Sequence, residues 1–221
     1  MIPVPPDLMV RYSLYPCALP THKGITLKAA MAKLHIDRRY FLGSEKKWVS
    51  FESNPTLEKT RGDIYGRCAP CIMNLYEQLR EGKGEINLGT AYRCWKVVVL
   101  LNTIEECLDV LAEFERDFLG ERPVKGRFGS GDETKSTKVI VFSAESDIER
   151  DRLYSEVKVC AVRVNPEAEI SFHRACAELY HELLGDWKEW KETETIKRPE
   201  MVKPIIERIR NVLFWEKERG L

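Results

Sequence analysis

"RCWKVVVLLNTIEECLDVLAEF", residues 93–114, is the stretch whose reading decides the fold. Its first half is an apolar, β-branched run of strand length. Thr103 follows, with Glu106 three residues on. A threonine at that position accepts from the free N–H groups of a helix start, and the glutamate reaches back: a capping box. Apolar residues then fall at Ile104, Cys107, Leu108, Leu111, Phe114 and Phe118, the spacing of one helix face. Gly120 and Pro123 supply the stop.

The same pattern recurs downstream. "TKVIVFSA" (137–144) reads as a strand, and Ser146-Asp147-Ile148-Glu149 as a second capping box. Ile148, Leu153, Tyr154, Val157, Cys160 and Ala161 mark one helix face, Asn165-Pro166 breaks it, and "AEISFH" (168–173) alternates like a closing strand. Identities between the two units are few; the pattern is what repeats. Between them, Pro123 to Phe128 forms a further strand, followed by the glycine turn "GSGDE". The order is β-α-β-β-α-β. Two right-handed βαβ halves interleave into a four-stranded antiparallel sheet with both helices on one face. The expected fold is therefore α+β: a ferredoxin-like (βαββαβ) domain over residues 91–190.

The flanks are less regular. "DLMVRYSLY" and "TLKAAMAKLH" read as helices, "YFLGSEKKWVSFE" (40–52) as a hairpin turning at Gly43 to Lys46, and "IYGRCAPCIMNLYEQLREGKG" as a helix ended by glycines. Residues 1–90 are thus expected to form a mostly helical domain with a hairpin. Helices followed by a hairpin also suit a winged-helix DNA module, with Arg38, Arg39, Lys46 and Lys47 on the wing. "RACAELYHELLGDW" (174–187) reads as an added helix and "KEWKETETIKR" as a charged linker. "PEMVKPIIERIRNVLFWEKE" (199–218) reads as an amphipathic C-terminal helix with Pro199 in its first turn. Residues 191–221 form the third segment.

Composition bounds the function. The chain has 221 residues, 35 Lys+Arg and 35 Asp+Glu. A duplex-DNA binder usually shows a basic excess, so nucleic-acid binding would need a local patch. The sole glutamine, Gln78, beside abundant Lys, Arg and Glu, is the balance of a thermophile protein. No apolar run approaches a membrane span, and the N-terminus has no signal-peptide core. A cytoplasmic location with mostly reduced thiols is expected for the seven cysteines.

Three groups carry candidate chemistry. Cys68 and Cys71 open a helix, where the dipole lowers a thiol pKa. They read as a redox pair, as half of a metal site, or as packing residues. Zinc needs four ligands, and Cys17, His22 and Cys94 could complete a zinc or iron–sulfur site. The setting is not that of a thioredoxin: Arg67 precedes Cys68, and 16 residues separate Cys68 from the end of the nearest strand, "WVSF" (48–51). In "KGRFGSGDE" (125–133), Lys125 and Arg127 with the backbone of Gly129 and Gly131 could hold an anion, or simply turn between strands. His173 and Cys176 could share a helix face. Cys107 and Cys160 sit on apolar helix faces and behave as small hydrophobes. No nucleophile elbow or HExxH occurs. The expected function is a non-catalytic binding or regulatory protein. A thiol-redox or metal protein is the alternative and a nucleic-acid binder the second. The sheet face or the C-terminal helix is the expected site of any homo-oligomer.

Overall fold

The computed structural model describes residues 15–16, 33–39, 44–52, 68–120, 124–130, 137–175 and 177–214. The chain is α+β with antiparallel sheets. Strands β1 (Tyr15–Pro16), β2 (Lys33–Arg39) and β3 (Ser44–Glu52) come first, then helix α1 (Cys68–Arg80). Strand β4 (Glu85–Asn87) and the short helix α2 (Thr90–Arg93) lead into strand β5 (Trp95–Leu101). Helix α3 (Ile104–Phe114) continues as a π turn over Glu115–Leu119. Strands β6 (Lys125–Ser130) and β7 (Lys138–Ala144), helix α4 (Asp147–Val164) and strand β8 (Glu169–Arg174) follow. Helix α5 (Ala177–Leu184), strand β9 (Thr193–Thr195) and helix α6 (Val202–Phe214) complete the order.

One sheet has the order β1-β2-β3-β6-β7-β5-β8, with antiparallel neighbours throughout. Alternation decides its faces. Trp95, Val97, Val99 and Leu101 of β5 point one way, with Ile140, Phe142 and Ala144 of β7 and Phe128 of β6. Onto them α3 lays Cys107, Val110, Leu111 and Phe114, and α4 lays Leu153, Val157, Cys160 and Ala161. On the opposite face Val98 and Val141 make a small cluster with Leu100 and Val139.

Both helix starts are capped as the sequence predicts. Glu106 N donates to Thr103 Oγ1 (3.0 Å), and Asn102 N donates to the Glu106 carboxylate (2.7 Å). Glu149 N donates to Ser146 Oγ (3.1 Å), and Glu145 N to the Glu149 carboxylate (2.6 Å). On the outer surface Arg163 of α4 bridges to Glu113 and Asp117, and Arg116 pairs with both carboxylates. Hydrogen bonds from Arg116 and Arg163 hold the Asp117 carboxyl down at about 2.

A second core lies apart from the first. Helix α1 brings Cys71, Ile72, Leu75, Tyr76 and Leu79, while α5 brings Tyr180, Leu183 and Leu184. Helix α6 adds Ile205 and Ile209. Ile86 of β4 is fully buried here, and β4 pairs with β9, Ile86 opposite Glu194. Gln78 closes the other side of β4. Its amide donates to Asn87 O (2.9 Å) and accepts from Asn87 N (2.8 Å), as a neighbouring strand would. That geometry accounts for a glutamine buried to 7% exposure.

Several expectations change. Lys33, Leu34 and His35, read as the end of a helix, belong to β2; the stretch 33–39 alternates, and period two wins once a partner strand exists. Strand β3 already begins at Ser44, so Lys46 and Lys47 lie inside it, opposite Asp37 and Ile36. Arg38 and Arg39 lie in β2, and β3 is paired on its other side to β6. These four residues therefore sit in the β2–β3 ladder. Arg174 ends β8 instead of opening a helix, and His173 is in the same strand. Ile148 is 84% exposed, one residue into α4 and off its apolar face. The charged linker contains β9.

Candidate functional site at the seam between the two cores

Between the two cores a tryptophan meets two arginines. Trp95 opens β5, and α2 just before it presents Tyr92. Arg174, the last residue of β8, is the register partner of Trp95. Arg150 comes from the first turn of α4, set by the Ser146 cap. The guanidinium carbon of Arg174 lies 4.0 Å from the centres of both the Tyr92 and Trp95 rings. That of Arg150 lies 4.2 Å from the Trp95 ring and 4.8 Å from Phe172. Phe172 and Trp187 meet the Trp95 ring edge-on at 5.8 and 5.7 Å. Trp187 also packs against both cores. A cation over an aromatic face gains about 0.5–2 kcal/mol, more as water is excluded.

The two cations are treated differently. Arg150 is held by Asp147 (3.0 Å) and Asp151 (2.8 Å), both exposed. Arg174 is 7% exposed, and no carboxylate among the described residues lies within ion-pair distance of it. Burial pulls its pKa down from the usual arginine value; Tyr92 and the charge of Asp147 offset this in part. Its Nε and the Trp95 Nε1 are both buried without an acceptor. A buried donor left unmet costs about 1–3 kcal/mol. Two at one ring, beside a buried cation that Tyr92 and Asp147 compensate only in part, are therefore a costly arrangement.

The residues singled out from sequence lie elsewhere, except Cys94 and His173, the chain neighbours of Trp95 and Arg174. Cys68 is the first residue of α1, as expected. Cys71 is enclosed in the second core, its Sγ 3.8 Å from Thr90 Oγ1 and its carbonyl accepting from the Tyr180 hydroxyl (3.1 Å). Cys94 is half-buried between α2 and β5. Cys17, His22, Gly131 and Cys176 lie outside the described residues. Among the described residues no cluster of three His, Cys, Asp or Glu is placed to hold a metal. Lys125 is paired with Glu145 at 2.5 Å, and Arg127 lies two residues on in β6. Gly129, at φ 153°, sits opposite Val139 and Trp48. No described helix is long and apolar enough to cross a membrane.

Cys107 and Cys160 are fully buried, and burial pushes both thiols up to about 12 from 9.0. Both are neutral in the folded and unfolded chain at pH 7, so their contribution is complete below pH 9. Above that the unfolded chain ionises first, and stability falls by about 1.4 kcal/mol per pH unit for each thiol until the folded value is reached. Denaturation midpoints measured from pH 8 to 10.5 should therefore drop more steeply in the native chain than in a Cys107→Ala/Cys160→Ala variant.

The seam carries no sequence motif. Its members stand at 92, 95, 150 and 174, and only the ladder of β5 and β8 and the seating of α4 bring them together. The available signal was an arginine closing an apolar strand, opposite a tryptophan opening another. No family model matches the chain, and no curated protein or solved structure is significantly similar to it.

Proposed function

We propose that the chain is a non-catalytic binding or regulatory protein built on a ferredoxin-like module, with its ligand seated at the seam. The order β6-β7-β5-β8, with α3 and α4 packed on one face, supports the module. A fold of this kind hosts many functions, so the function rests on the site. One observation carries it: Arg174, enclosed between two rings, has no carboxylate partner. Replacing a buried ionic group with an apolar side chain of similar volume is often neutral or stabilising. A folded core alone has no need of this cation; a ligand that completes its interactions does.

The other readings find less support. Cys71 packs as a core residue, and burial keeps the Cys107 and Cys160 thiols protonated at neutral pH. Lys125, offered for anions or nucleic acid, already has a carboxylate.

A thermal-shift screen of small charged and aromatic molecules, followed by hydrogen exchange, tests the reading. The native chain should be stabilised by at least one compound, with protection at residues 92–95 and 170–175. Arg174→Met should lose both effects. No stabilising compound, together with an Arg174→Met variant at least as stable as the native chain, would mark the seam as packing alone.

A further inference from the structure

We infer that the seam is a site for a phosphate-type oxyanion, either free phosphate or the phosphoryl group of a larger ligand. This rests on the binding reading above and names its ligand class.

The chemistry follows from what each donor lacks. Arg174 Nε and Trp95 Nε1 are N–H donors with no acceptor, attached to groups in van der Waals contact. Arg174 carries a full charge at 7% exposure. The carboxylates nearby, Asp147 and Asp151, are 67% and 63% exposed and bonded to Arg150, so water screens them. A ligand that meets these needs must be negatively charged and must offer several acceptor oxygens. A neutral ligand leaves the charge compensated only by Tyr92 and the exposed Asp147, and a cation adds to it.

Phosphate fits better than a carboxylate. Its oxygens point in tetrahedral directions, so one can accept from the guanidinium edge and another from an indole N–H. Arginine presents its donors as a rigid fork suited to such an anion. Arg150, over the same indole, adds a second positive charge. The rim of Tyr92, Phe172 and Trp187 is half-buried and aromatic. A phosphoryl group carried on a flat, apolar body would stack there, and an entering ligand must displace part of that rim. Cation–π contacts alone do not explain the site, because they leave both N–H donors unmet.

The test is calorimetric titration of the full chain with inorganic phosphate and with phenyl phosphate, sodium chloride holding ionic strength constant. Saturable binding of phosphate, tighter binding of phenyl phosphate, and acetate at least about tenfold weaker are expected. Arg174→Lys keeps the charge but loses the fork, and should weaken phosphate about tenfold. Trp95→Phe keeps a ring and removes the indole N–H. It should weaken phosphate about fivefold, and it serves where an Arg174 variant fails to fold. Phosphate heats no larger than those of added sodium chloride, acetate binding as tightly as phosphate, or variants that bind like the native chain would overturn the inference. If the wider screen instead finds an uncharged ligand that protects 92–95 and 170–175, the oxyanion falls and the binding reading stands. If no ligand protects the seam, both fall.

Discussion

Gly126→Ala is expected to cost more than about 3 kcal/mol, the range of severe overpacking, and to open the sheet between β6 and β7. Gly126 lies in β6 opposite both Phe51 of β3 and Phe142 of β7. A Cβ there would overlap the Val141 carbonyl oxygen and the edge of the Phe51 ring. Neither can give way cheaply. The carbonyl belongs to the strand backbone of β7. The ring is fully buried, stacked on Phe128 at 6.5 Å and edge-on to Phe142 at 5.2 Å. The glycine is there for close approach and not for an unusual dihedral. Gly84→Ala is the control, since nothing lies within 4 Å of its Cβ position. That change should stay within about 0.5 kcal/mol. Urea denaturation of the two variants checks the pair; a Gly126→Ala loss below about 1 kcal/mol would mean the strands part without strain.

Trp95→Ala carries the second large effect. The ring is 3% exposed and touches Phe172, Trp187, Arg150 and Arg174. Truncating a buried tryptophan costs about 3–5 kcal/mol through lost burial and the cavity left behind. Here it also strips two guanidinium groups of their stacking partner. Trp95→Phe separates the causes. It keeps an aromatic face and removes an indole N–H that has no acceptor, so its cost should stay below about 1.5 kcal/mol. If the two variants were equally unstable, the indole itself would be indispensable to folding, and its unmet N–H would not point to a ligand.

The elements legible in the sequence are those whose signals are local. Residues 95–119 and 138–174 announce themselves by β-branched runs, by Thr103/Glu106 and Ser146/Glu149, and by apolar residues three and four apart. The missed elements depend on distant partners. Strands β4 and β9 have three residues each and meet across more than a hundred positions, with Ile86 as the only fully buried side chain to mark them. Strand β2 follows an alanine-rich stretch of helical composition, and its pairing with β3 decides its form. The end of β8 has no local signal, because Arg174 suits a helix start as well as a strand end. Its burial against Trp95 follows only from the ladder with β5.

The same distinction governs the candidate site. Cys68 and Cys71, two cysteines at a short spacing, form a recognisable motif. The structure seats Cys71 among Leu75, Tyr76 and Tyr180, in the second core. The seam had no motif to recognise. Arginine at 150 and 174 and tryptophan at 95 are unremarkable singly, and their meaning lies in one buried ring shared by two cations. Physical accounting finds it where pattern does not: a buried charge with no carboxylate in ion-pair distance among the described residues and two N–H groups without acceptors.

The most direct measurement is nuclear magnetic resonance of the isotope-labelled full chain, titrated with inorganic phosphate at constant ionic strength. It follows the Trp95 indole proton and the Arg174 Nε proton, the indole being assigned by its loss in Trp95→Phe. Both resonances should move downfield together and saturate along one binding curve, as each N–H gains an acceptor. Two resonances that stay in place while phosphate is raised to saturation of any other effect would contradict it, and the seam would then be a packing joint between two cores.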